Sequence, residues 1–155
     1  MSHPFLVLGG IAITVLTTAF GVLQVPGWVD AAHDASTSAS LRHIDTWEES
    51  AVSSTRRYWP GSQISAEAGN LGPAFNQSGS KLICVSASAD GSGYAVVAQS
   101  ESDQFFARTS RTDTEGKGET VADAIAAAGG MPVGVAIPMD GGCIAGAQLV
   151  ITPSA

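Results

Sequence analysis

Residues 5–29, FLVLGGIAITVLTTAFGVLQVPGWV, carry no charge, and the seven Lys+Arg and fourteen Asp+Glu of the chain all fall from Asp30 onward. An apolar helix of about 20 residues is long enough to cross the hydrocarbon of a bilayer. No linker follows the run. The chain goes straight on as DAAHDASTSASLRHIDTWEESAVSSTRRYW, where Leu41, Ile44, Trp47, Ala51 and Tyr58 recur close to one face of a helix. Arg42, Asp45, Glu49 and Arg56 take the other sides. Trp59-Pro60-Gly61 closes the pattern, because a residue before proline disfavours the helical region. The spacing therefore predicts one long helix, apolar in its first half and amphipathic in its second.

Within the apolar half, Gly10, Thr14, Thr17, Thr18 and Gly21 line up at helical spacing. Small residues let helices approach closely where lipid gives no hydrophobic reason to associate, although Gly and Thr are also ordinary in single spans. Pro26 removes one backbone hydrogen bond and Gly27 weakens the helix further, so a kink or local melt is expected there. The four residues before Phe5, Met-Ser-His-Pro, lack the basic n-region of a secretory signal. The flank after the run carries Asp30 and Asp34, and only the absence of positive charge there fits a C-terminus outside the cytoplasm.

The body that follows is rich in Ser, Gly, Ala and Thr. Residues 61–80 read as a loop. KLICVSAS (81–88), YAVVAQ (94–99) and QFFART (104–109) read as three strands joined by short turns, an antiparallel meander. TVADAIAAA (120–128) reads as a short helix stopped by Gly129-Gly130. MPVGVAIP and CIAGAQLVIT suggest two more strands. The expected class is α+β, with the long helix packed through Leu41, Ile44, Trp47, Ala51 and Tyr58 on a small antiparallel sheet. Three regions follow: 1–29, an apolar transmembrane or filament-core helix; 30–59, its amphipathic continuation; and 60–155, the sheet domain.

Chemistry is sparse. A net charge of −7 with scattered basic residues argues against nucleic acid as a partner. His33 and His43 fall on the long helix as ordinary solvent-facing residues, without carboxylates or cysteines at metal-ligand spacing. There is no nucleophile elbow, phosphate-cradling loop or H-E-x-x-H. Asp45, Glu48 and Glu49 read as a solvated helix face. Asp90-Gly91-Ser92-Gly93 reads as a hairpin turn rather than a calcium loop, and Asn76-Gln77-Ser78 is a glycosylation sequon. No cofactor and no enzymatic activity are expected. Cys84 and Cys143 read as one disulfide if the body is exported, closing a loop at about 4 kcal/mol in the chain-entropy model; two buried free thiols are the other reading.

This order of parts resembles type IV pilins and pseudopilins: an uncharged N-terminal helix, a late proline, an unlinked amphipathic continuation and a small cysteine-bearing sheet. With Phe5 set against the family's usual first mature residue, Pro26 falls where these proteins often carry a helix-breaking proline. LRHIDTWEESAVSSTRRY looks like the half-helix that packs on the sheet, and Cys84 and Cys143 are similar to the pair that closes a surface region. Two departures stand out. The family's basic leader ending in Gly is missing before Phe5, and Gly9 stands where many members carry an early Glu. The resemblance implies a subunit that polymerises through Phe5, Gly10, Thr14, Thr18, Gly21, Pro26 and Gly27. Its partners would be copies of itself, related minor subunits and an inner-membrane assembly platform. It would sit in the cytoplasmic membrane before assembly and in a cell-surface filament after it. A monomeric, single-span binding module and an exported protein with a cleaved signal are the two other expectations.

Overall fold

The computed structural model of the chain describes the backbone of residues 4–68 and 79–137 and the side chains of residues 27–64, 66 and 79–137. It is an α+β arrangement whose longest element, α1, runs unbroken over Pro4–Thr55. Of the kink or local melt expected at Pro26-Gly27, the melt is not seen: helical backbone continues through both residues. A proline forfeits one hydrogen bond to the preceding turn, and a helix of this length survives one such loss. At its far end α1 stops at Thr55, three residues short of Tyr58. Arg56 takes a left-handed backbone (φ 60°), and its N–H still reaches the Val52 carbonyl at 2.8 Å.

A second helix, α2, spans Gly61–Ala68, where a loop was expected. Pro60 starts it rather than stopping everything: its carbonyl accepts from the N–H groups of Gln63 at 2.9 Å and Ile64 at 3.2 Å. The turn drives Ile64 to full burial in the core.

Four antiparallel strands follow in simple order: β1 (Ser80–Ala87), β2 (Tyr94–Ser100), β3 (Phe105–Thr109) and β4 (Thr112–Gly118). The fourth was missed, because TDTEGKG holds no apolar residue and two glycines. It is an edge strand, and its polar sequence suits an edge that must not recruit another strand. Helix α3 (Val121–Ala127) returns across the sheet. Thr120 caps it by accepting the Asp123 N–H at 3.2 Å, and Gly129 and Gly130 end it with positive φ. Residues 131–137, expected as strand, are irregular: Pro132 lacks a donor, Gly134 has φ 76°, and Val135 N–H turns back to the Pro132 carbonyl. The strand expected over 143–152, the sequon at Asn76 and Cys143 lie outside the described residues.

Strand alternation sorts the side chains into two cores. On one face Ile83, Val85, Tyr94, Val96, Ala98 and Phe106 meet Leu41 and Ile44 of α1 and Ile64 of α2, with Trp47, Tyr58 and Trp59 packed at the margin. On the other, Ala95, Val97 and Ala107 meet Val121, Ala124, Ile125 and Ala128 around α3, with Val135 and Ile137. The sheet is thus the middle of three layers. Gly116 makes the second layer possible, since a Cβ there would lie 2.0 Å from the Ala124 carbonyl oxygen and 2.5 Å from the Ala128 nitrogen.

Candidate functional site

The chemistry of the described residues is gathered where α1 crosses β3 and β4. Asp34, Ser38, Asp45 and Glu48 stand at steps of four, seven and three, which puts them on one side of the helix beside the apolar stripe. Each finds a partner on the sheet or the turn beyond α1. Asp34 accepts from Lys117 at 2.6 Å and from the Ser102 hydroxyl. Burial raises the pKa of Asp34, but these hydrogen bonds outweigh it and hold the carboxyl below its usual range. Lys117 also lies over the Phe106 ring, 5.2 Å from its centre. Ser38 donates to Glu115 at 2.7 Å. Asp45 takes both the Tyr94 hydroxyl and the Arg108 guanidinium, and Arg108 donates again to the Asp113 carbonyl at 3.0 Å.

Glu48 is the exception among these carboxylates. It is fully buried, accepts the Trp59 N–H at 2.8 Å through Oε2, and leaves Oε1 without a hydrogen-bond partner. Burial pushes its pKa up to about 7, opposed by the Trp59 bond and helped by the nearby Asp45 charge. Tyr58 and Tyr94 are raised as well, each first by burial and then by the carboxylates beside them. The solvated face expected of Asp45, Glu48 and Glu49 is therefore corrected: Glu49 alone is exposed. The reason is that α1 meets the sheet over a band wider than its apolar stripe. Its flanks are covered by polar positions on the β3–β4 side, which include Arg108 and Glu115.

Of the residues expected to join helix to sheet, Leu41, Ile44 and Ala51 are buried, while Trp47 and Tyr58 are half-buried, with Tyr58 tilted against the Tyr94 ring at 4.8 Å between centres. Below them Ser36 and Thr37 fix the start of β1, through the Gly79 N–H and the Ser80 hydroxyl. His33 is half-buried against Gly79 rather than solvent-facing, and a Cβ at Gly79 would lie 2.7 Å from its ring nitrogen. Gly27 has open space around it. The side chains of Phe5, Gly10, Thr14, Thr18, Gly21 and Pro26 lie outside the described residues. Cys84, buried on β1, is disulfide-bonded; the sequence holds one other cysteine, Cys143.

Apart from Glu48 Oε1 and Arg108 Nε, which are buried without a hydrogen-bond partner, these groups are turned on one another, and the network works as a clasp between helix and sheet. Asp90 is likewise taken up locally: Ser88 and the Ser92 N–H and hydroxyl all donate to it, which lowers its pKa to about 2. Among the described residues no group of three or more His, Cys, Asp or Glu is placed to hold a metal ion. An open groove of about 520 Å³ lies past the end of α1 against Arg57, Tyr58, Trp59, Gln63 and Ser88. Among the described residues no carboxylate or histidine lines it. Also among the described residues, no helix is long and apolar enough to cross a membrane.

A spacing of four, seven and three in Asp34, Ser38, Asp45 and Glu48 was the signal available for the clasp. An arginine two residues from Phe106 on the same strand face was its counterpart. Compared with protein-family models, curated proteins and solved structures, the chain matches none.

Proposed function

We propose that the chain is a structural subunit of a type IV pilus-like filament that polymerises through its uncharged N-terminal half-helix and exposes its sheet domain. The observation that carries this reading is α1 itself. One helix, Pro4–Thr55, includes the charge-free stretch and continues into the part that is clasped to the sheet through Asp34, Leu41, Ile44 and Asp45. Residues 27–32 are exposed, with Trp28 71% and Val29 47% accessible. Exposed apolar side chains at the end of an uncharged helical stretch form a surface in need of lipid or of other copies. The partners on this reading are identical copies, related minor subunits and a membrane assembly platform. The chain is held in the cytoplasmic membrane before assembly and at the cell surface after it.

The small face of the helix supplies the test. Gly10→Leu with Gly21→Leu should leave the chain extractable from membranes but abolish the surface filaments seen by immunogold electron microscopy. Cells making the unaltered chain that show no filaments would refute the reading; filaments from the double variant would remove the small face from it. A second reading, a single-span binding module, is favoured by the groove at Arg57, Tyr58 and Trp59. It predicts full-length chain in detergent extracts and none in sheared surface material.

A further inference from the structure

The two ends of the sheet domain are chemically opposite. Near the start of the clasped part of α1 lie the β2–β3 turn, the β4–α3 turn and the first strand's beginning, as the Asp34 bonds to Ser102 and Lys117 show. At that end Lys81 is paired with Asp103 and Lys117 with Asp34. Asp30, Glu101, Glu119 and Asp123 remain exposed with no ion pair among the described residues. At the far end, beyond Thr55, Arg56, Arg57 and Arg111 are exposed and likewise unpaired. Of the described carboxylates there, Asp90 is turned into its own hairpin and Asp113 is exposed.

The exposed large hydrophobic residues of the described chain repeat this division. Val133, 91% accessible, stands at the far end beside Arg111, and Trp28 and Val29 stand at the near end. Between Val133, Pro132, Arg111 and Ser110 runs an open notch of about 360 Å³. The ends are roughly 20 Å apart along β2, more than twice the Debye length of about 8 Å at physiological salt. They cannot neutralise each other within one molecule. Residues 1–29 hold no Lys, Arg, Asp or Glu, so those side chains offer no ionic register to neighbouring helices.

We propose that these ends are the two halves of one head-to-tail contact between copies. The Arg57, Arg111 and Val133 end of one copy seats on the Trp28, Glu101 and Glu119 end of the next. A contact between unlike patches does not close on itself and propagates as a filament. It supplies the axial register that an uncharged core helix lacks, and an indole beside a guanidinium adds a cation–π attraction. This rests on the filament reading and adds its stacking surface.

The test uses full-length chain in cells and the mass of sheared filament recovered. Arg57→Glu with Arg111→Glu, and separately Glu101→Arg with Glu119→Arg, should each lower that yield roughly tenfold or more, since like charges then face each other. All four substitutions in one chain should restore most of it. Co-expression of the two double variants should also restore it, because each reversed end then meets its opposite on the other variant. Recovery in that mixture shows that both variants fold. Undiminished yield from either double variant overturns the contact while the filament reading stands, and so does failure of both rescues. Absence of filament from the unaltered chain removes both.

Discussion

Glu48 gives the clasp a measurable dependence on pH. In the folded chain its carboxyl titrates near 7 instead of its ordinary 4.5, chiefly because burial penalises the charge. Between those values the folded state holds a proton that the unfolded state has lost, so stability falls as pH rises from about 4.5 to 7 and is level above that. The difference is about 3 kcal/mol across the window. Glutamine at this position keeps a carbonyl for the Trp59 N–H and carries no charge at any pH. Any fixed cost of its buried amide, about 1–3 kcal/mol, applies equally at both ends of the range. The stability of Glu48→Gln minus that of the parent chain should therefore climb by about 3 kcal/mol from pH 4 to pH 8. Urea unfolding of the detergent-solubilised chain, followed by the fluorescence of Trp47 and Trp59, reads it directly. Two stability curves that stay parallel to within about 1 kcal/mol would refute the burial argument for Glu48.

Other substitutions probe other layers. Leu41→Ala removes a fully buried side chain between α1 and the sheet and should cost about 2–5 kcal/mol by the same unfolding assay. Gly116→Ala sets a methyl against the backbone of α3; overpacking of about 1–3 kcal/mol should appear with faster amide exchange in α3. Asp34→Asn should weaken the Lys117 and Ser102 bonds at neutral pH by about 1–2 kcal/mol. The folded pKa of Asp34 is depressed, so its contribution is present above the unfolded value of 3.8 and lost as pH falls below it. The penalty of Asp34→Asn should shrink accordingly in acid.

What the sequence made legible was whatever had a period. Leu41, Ile44 and Ala51 mark a helical stripe, and strands such as KLICVSAS stand out because both faces of the sheet are covered and their residues are apolar on each. Beta4 escaped because its inward positions are Glu115, Gly116 and Lys117: one face is closed by salt links to α1, the other by a glycine that admits α3. Helix α2 escaped because Pro60 can open a helix as readily as it ends one. Glu48 escaped for a third reason. A carboxylate at helical spacing looks solvated until the turn of 56–60 folds back and lays Trp59 over it, and that turn depends on the left-handed Arg56, which no local pattern announces.

The central claim concerns the uncharged half of α1, and one measurement meets it. Cells making the protein are sheared, the released high-molecular-weight material is pelleted, and the intact mass of the chain in that pellet is taken. The account predicts the chain there with residues 5–29 retained, near 15.7 kDa if Met1 is kept. A chain found only in detergent extracts of membranes, or one in the medium whose mass lacks that stretch, would contradict it.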